Sequence, residues 1–255
     1  MKGVAITDIG KIRDVNEDSY CIYEDEIDLY IVADGMGGHK GCEVASLIAT
    51  DSIKEHIIKY LPEEYQEPAI KGVIFEAFNR ANQNVYKHAS ENTEYDGMGT
   101  TVTMALIIGN KLYIGHVGDS RAYLLRSKSL KQITEDHSLV AELVKNGSIT
   151  EREAMRHPQK NIITRSLGTD VSIKVDIFAI DLEKEDTIIL CSDGLTNFVD
   201  DREIKEILLP ARDPLESCQA LVSLANKRGG YDNITVIIVK TQLGSGQEVG
   251  EINDW

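Results

Sequence analysis

Four aspartates stand against nearly continuous apolar runs: Asp34 follows LYIVA, Asp119 follows LYIGHVG, Asp193 follows TIILCS, and Asp232 directly precedes NITVIIV. Each run reads as a buried strand. Asp34 and Asp193 then lie at strand exits and Asp232 at a strand entrance. If those strands run antiparallel, these three acids arrive at one edge of the core. Like charges gathered there repel one another and resist desolvation unless a cation lies between them. A divalent metal ion is the economical answer, and oxygen-only donors suit magnesium, manganese or calcium. No His/Cys set offers zinc a site.

A single Asp-Gly pair is ordinary turn chemistry, and glycines after a strand also build phosphate loops. Gly35, Gly37, Gly38 and Gly41 do not give GxGxxG spacing, however, and the stretch does not end in GK[S/T]. An acid directly before the loop would also repel a pyrophosphate. Gly35 is instead expected to let its own carbonyl turn toward a cation.

The elements that must position these acids follow from periodicity. Residues 3–8, 19–24 and 28–33 read as strands. Helices fit 41–60, with Val44, Leu47, Ile48, Ile57 and Ile58 largely on one face, and 69–89, with Ile70, Val73, Ile74, Ala77, Phe78 and Ala81 at helical spacing. Strands at 100–108, 111–117 and 121–126 are joined by the short turns Gly109-Asn110 and Gly118-Asp119-Ser120, which imply antiparallel hairpins. Helices are expected at 138–145 and 150–156, strands at 172–180 and 186–191, helices at 201–209 and 214–228, and a last strand at 234–241. The expected class is α+β, a four-layered α-β-β-α sandwich of two mainly antiparallel sheets flanked by helices.

Composition sets bounds on what such a chain does. At 255 residues, with no internal repeat or low-complexity linker, one domain over 1–241 is expected, followed by a polar tail over 242–255. A net charge of −15 repels nucleic acid and anionic membrane, and no apolar run approaches the length of a membrane helix. The start, MKGVAITDIG, lacks the apolar stretch of a signal peptide. Cys21, Cys42, Cys191 and Cys218 form no CxxC pair and read as free thiols. The expectation is therefore a cytoplasmic protein, monomeric, with no nucleic-acid or membrane partner.

Taken in order, RDVNED (13–18), ADGMGGH (33–39), GTT (99–101), VGDSRAY (117–123), TEDHS (134–138), ITRSLG (163–168), CSDGLT (191–196) and GGYDNITVI (229–237) closely resemble the bacterial branch of the protein phosphatase 2C family, metal-dependent phosphoserine/phosphothreonine phosphatases. The resemblance runs from near residue 3 to near residue 241. It implies a two-metal centre of Mn2+ or Mg2+ between the sheets, with Asp34 bridging both ions and the Gly35 carbonyl on one. Asp193 and Asp232 would hold the other ion, and Asp119 with Asp193 a weaker third. Glu17 and Asp18 match acids near the centre that act partly through water, and Arg13 matches the phosphate-binding arginine, a role suited to its planar donors. A hydroxide bridging the two ions would attack phosphorus in line. Arg13, Asp34, Asp193 and Asp232 thus carry the implied catalysis, and Cys191 and Ser192 are not nucleophiles.

One position departs from the animal-type pattern: Met36 stands where those members place a proton-donating histidine. His39 matches the bacterial pattern but need not replace that donor, a role a metal-bound water could fill. His137 is expected to have a structural or loop role, with Thr134, Asp136 and Ser138 as local capping partners, and 145–170 matches the family's flap beside the active site. The implied partners are phosphorylated proteins, among them a Ser/Thr protein kinase and its substrates. The competing readings are a catalytically silent regulatory or binding module of the same fold, and a structural calcium protein, which lacks any DxDxDG loop.

Overall fold

Strands that are apolar on both faces must be covered on both faces, and this chain covers them by stacking two sheets. The computed structural model describes residues 2–37, 41–210 and 213–241; His39 and the 242–255 tail lie outside the described residues. One sheet runs β1 (Lys2–Asp8), β11 (Ile234–Lys240), β10 (Thr187–Cys191), β7 (Arg121–Arg126) and β8 (Ser129–Gln132). The other runs β2 (Asp18–Glu24), β3 (Asp28–Met36), β5 (Val102–Ile108), β6 (Lys111–Val117) and β9 (Asp176–Asp181), with the short β4 (Gly99–Thr100) on the end of β3. Neighbouring strands in both sheets pair antiparallel.

The two-residue alternation of a strand divides the core into three layers. Tyr30 and Val32 of β3 point between the sheets, with Ala105, Ile114, Leu124, Leu190 and Ile237. Leu29, Ile31 and Ala33 of the same strand point outward, beneath α1 (Cys42–Tyr60) and α2 (Glu67–Glu91). On the opposite outer face Ile189, Cys191, Val236 and Ile238 lie beneath α5 (Asp193–Thr196), α6 (Asp201–Leu208) and α7 (Pro214–Lys227). Two further α-helices, α3 (Leu139–Lys145) and α4 (Glu151–Ala154), lie in the connection from β8 to β9. This is the α-β-β-α sandwich expected from the pattern. Among the described residues no helix is long and apolar enough to cross a membrane.

Several expectations need correction. β3 does not stop at residue 33 but runs through Asp34 to Met36, because Asp34 pairs with Asp18 and Gly35-Met36 pair with Gly99-Thr100. The strand expected over 100–108 breaks at Thr101, whose N–H donates to the Asp34 carbonyl at 2.9 Å. β9 begins only at Asp176. The α1 face is also different: Ala45, Ala49, Ile53 and Ile57, four residues apart, form the buried stripe, whereas Leu47 and Ile58 are exposed. Small residues in that stripe let the helix backbone approach the sheet. β8 was not anticipated. It follows a two-residue turn with positive φ at Ser127 and Lys128, a conformation usually signalled by Asn-Gly or Asp-Gly.

Candidate active site

The sheet register places the first pair of acids. Asp18 and Asp34 are direct partners across the β2–β3 ladder. Asp18 is buried and spans the two sheets: its Oδ2 accepts from Ser192 Oγ at 2.8 Å and Thr235 Oγ1 at 2.6 Å, both on the facing sheet's side. Its Oδ1 is buried with no partner. Asp34 is held by its backbone, since Thr101 accepts from the Asp34 N–H through Oγ1 at 3.1 Å. The same Thr101 hydroxyl lies 2.9 Å from Ser120 Oγ, which joins the Asp34 strand to the turn carrying Asp119.

That turn depends on Gly118, at φ +115°, where a Cβ would lie 2.5 Å from Thr101. It buries Asp119 and leaves Asp119 Oδ1 without a partner. Asp193 opens α5, and Asn197 Nδ2 donates to its Oδ2 at 2.8 Å while Asn197 Oδ1 accepts from Lys160 Nζ at 2.9 Å. Asp232 stands just before β11, with Arg13 NH2 at 2.9 Å from its Oδ1. Arg13 also pairs with Glu17 at 2.9 Å. The loop that presents Arg13 is tied down by Asn233, which accepts from Glu17 N–H at 2.8 Å and donates to the carbonyls of Ile9 and Val15, both at 3.0 Å.

Electrostatics show that the acids act on one another as a group. Burial, followed by Asp18, Asp193, Asp119 and Asp232, holds the Asp34 carboxyl well above the usual carboxylate range. Burial pushes Asp18 up to about 7 against its Thr235 and Ser192 hydrogen bonds. Asp119 is pushed up to about 8 by burial and then by Asp193. Asp193 is raised by burial and by Asp232, while the hydrogen bond from Asn197 pulls the other way. Burial works against the Arg13 charge, but Asp232, Glu17 and Asp34 together hold its proton more firmly.

Among the described residues no three His, Cys, Asp or Glu side chains already converge as a finished ligand shell. The donor chemistry nevertheless fits hard divalent cations. Two buried carboxylate oxygens, Asp18 Oδ1 and Asp119 Oδ1, lack partners, and the neighbouring acids repel one another's charge, a repulsion that a cation would relieve. Gly35 fits differently from the expected turn: it is a strand residue whose Cβ would meet the Cys42 and Glu17 carbonyls, at 2.2 and 2.7 Å for the oxygens.

The structure thus brings Asp18, Asp34, Asp119, Asp193, Asp232, Arg13 and Glu17 into one connected region. A cleft of about 1170 Å³ opens from Asp119 and Asp193 along α3, α4 and Lys160. Sequence reasoning assigned nothing to Asn233, Thr101, Asn197 or Thr235. Asn233, Thr101 and Thr235 lie inside or beside the quoted motifs, which was a signal, but their partners are distant in sequence. All four cysteines are buried with no disulfide, and burial pushes the Cys191 thiol up to about 12, consistent with its exclusion as a nucleophile. Of the three capping partners expected around His137, only Ser138 caps a helix, accepting from Ala141 N–H at 3.3 Å. Thr134 accepts from Ala122 N–H, and Asp136 pairs with Arg121.

Comparison with known proteins identifies the family and fold. The family profile described as Protein phosphatase 2C matches residues 13–228. The serine/threonine phosphatase stp of Listeria monocytogenes is 41% identical over 243 residues, covering 93% of this chain and 94% of its own. Protein phosphatase PhpP of Streptococcus pneumoniae is 37% identical over 236 residues, covering 92% and 95%. Among solved structures, serine/threonine phosphatase Stp1 from Staphylococcus aureus superposes with a TM-score of 0.89 at 39% identity, covering 94% of this chain and 95% of its own. The catalytic domain of PstP, solved with two manganese ions, gives 0.81 at 34% identity, covering 93% and 96%. An acid group on facing sheet edges, within a sandwich shared along almost the whole chain, carries one conclusion: the chain belongs to the protein phosphatase 2C family of serine/threonine phosphatases.

Proposed function

We propose that this chain hydrolyses phosphoserine and phosphothreonine esters on proteins at the Asp34–Asp193–Asp232 group, using Mn2+ or Mg2+ and opposing a bacterial Ser/Thr kinase. The observation that carries the proposal is the pair of buried, unpartnered carboxylate oxygens, Asp18 Oδ1 and Asp119 Oδ1, in an acid group that includes Asp34, Asp193 and Asp232. Asp34, Gly35, Asp193 and Asp232 would hold two ions, and Asp119 with Asp193 a third. When bound, such ions supply Lewis acidity at neutral pH.

The chain's own groups do the rest. Arg13, one face on Asp232 and one on Glu17, presents guanidinium donors beside the acids, where they would orient the phosphoryl oxygens. Asp18 uses one oxygen to bind the facing sheet and leaves the other for the cluster. Asn197 fixes the Asp193 carboxylate, and its own amide is oriented by Lys160, a residue that can only donate. The domain is read as 1–241, with 145–170 as the flap over the cleft.

Phosphopeptide hydrolysis with millimolar Mn2+ or Mg2+, and its loss after chelation, tests the reading. Zinc is expected to substitute poorly at an oxygen-only site. Full turnover after exhaustive chelation would falsify it. Activity absent under every metal condition would favour the silent module.

Arg13→Ala is expected to raise KM for a phosphopeptide by about 10- to 100-fold, the loss of one or two charge-assisted hydrogen bonds. Manganese affinity, measured by calorimetry, should change far less. The opposite pattern, lost metal with unchanged kinetics at saturating metal, would assign Arg13 to the metal site rather than to phosphate.

A further inference from the structure

His137 is buried between β6 and the 163–165 segment, outside the acid cluster, and grips both backbone groups of one residue, Gly118. Its own N–H donates to the Gly118 carbonyl at 2.8 Å, and its ring Nδ1 accepts from the Gly118 N–H at 3.0 Å. Since a backbone N–H only donates, Nδ1 carries no proton. The ring proton is therefore on Nε2, where Asp176 Oδ2 lies at 3.1 Å. Arg165 NH1 is 3.2 Å from the other Asp176 oxygen and 3.1 Å from Nε2, holding that carboxylate in place. The His137 carbonyl accepts from Thr164 N–H at 2.8 Å, and Ser138 bridges to Ile163. Beneath the ring, His116 packs at 4.7 Å between centroids, its Nε2 on the Glu135 carbonyl at 3.1 Å and its Nδ1 on Thr103 Oγ1 at 3.0 Å.

The residue after Gly118 is Asp119, whose Oδ1 is buried and unpartnered. With φ +115° and no side chain at Gly118, the bonds to its N–H and carbonyl help set the direction in which Asp119 leaves the turn, beside the Ser120 bond to Thr101. We infer that His137 is a positioning residue for Asp119: as the neutral Nε2–H tautomer set by the Gly118 N–H and Asp176, it clamps the backbone of Gly118 and couples the base of the 145–170 segment to a metal-facing acid. This rests on the proposed metal site. Loss of the clamp leaves a buried Gly118 N–H without an acceptor and frees Asp119 to turn away from an incoming cation.

Two measurements test it. In metal-free wild-type protein, nitrogen-15 NMR of the His137 ring is expected to show an unprotonated Nδ1 and a protonated Nε2; a proton on Nδ1 overturns the clamp outright. This readout needs no activity, so it separates failure of the clamp from failure of the phosphatase reading. The second compares His137→Leu, which removes the acceptor, with His137→Asn, whose Oδ1 can take the place of Nδ1. His137→Leu is expected to raise the Mn2+ concentration for half-maximal binding at the weakest calorimetric site by about tenfold, with KM for p-nitrophenyl phosphate within about twofold. His137→Asn should restore Mn2+ binding to within about threefold of wild type. Unchanged Mn2+ binding in His137→Leu, or equal loss in both variants, overturns the assignment. If His137→Leu does not fold, the ring tautomer and the His137→Asn binding curve still decide it.

Discussion

Asp193→Asn is expected to lower phosphopeptide turnover by more than about 100-fold, because even groups outside a metal's ligand shell cost about 10- to 100-fold when removed. The fold should survive. Asp193 lies under repulsion from Asp232, so replacing it with a neutral amide of the same shape removes like-charge strain. In chelator at pH 8 the variant should melt above wild type. The same physics gives a pH dependence for the metal-free wild type. Asp18, pushed up to about 7, and Asp119, pushed up to about 8, keep their protons in the folded state to higher pH than in the unfolded chain. The folded state thus binds more protons from about pH 4, the unfolded aspartate value, to each raised value. Stability must fall as pH rises across that window. Melting of chelated protein at pH 5.5 and pH 8, with and without Asp193→Asn, checks both statements; a metal-free protein more stable at pH 8 would contradict them.

Gly35→Ala is expected to be strongly destabilising. The added Cβ would lie 2.2 Å from the Cys42 carbonyl oxygen, 2.6 Å from its carbon and 2.7 Å from the Glu17 oxygen. All three are backbone atoms, so no rotamer change relieves the contact. Glu17 O is also the acceptor for Gly35 N–H at 3.1 Å, so shifting β3 breaks that bond beside Asp34. Overpacking of this kind costs about 3 kcal/mol, or roughly 6–12 °C of melting temperature for a domain of this size. Activity should fall with it. Gly72→Ala is the control: nothing lies within 4 Å of that position, on the exposed face of α2, and helix propensity predicts a gain of about 1 kcal/mol. Comparable melting temperatures for the two variants would remove the steric account of Gly35.

Much of the sandwich was legible because its strands are bounded by Gly, Asn and Asp and its helices carry apolar stripes. Asp193 and Asp232 were placed by the same logic, since a short apolar strand with an acid at its end exposes that acid at a sheet edge. What was not legible depended on pairing. The extension of β3 through Asp34 comes from Asp18 on one side and Gly99-Thr100 on the other, and no local pattern announces either. The Asp18 bond to Ser192 and Thr235 joins residues 174 and 217 positions apart. Asn233 was equally silent: an asparagine before a strand reads as a turn residue until the carbonyls of Ile9 and Val15 are found against it. On α1, Leu47 and Ile58 misled because apolar type was taken for burial, whereas Ala45 and Ala49 do the close packing.

Anomalous diffraction from crystals grown with Mn2+ tests the central claim most directly. The account predicts two strong manganese peaks ligated by Asp34, Asp193, Asp232 and the Gly35 carbonyl, with a weaker third beside Asp119, and loss of the Asp193-ligated density in Asp193→Asn. An active crystal form with no manganese among these acids, or with its manganese bound elsewhere, would contradict it.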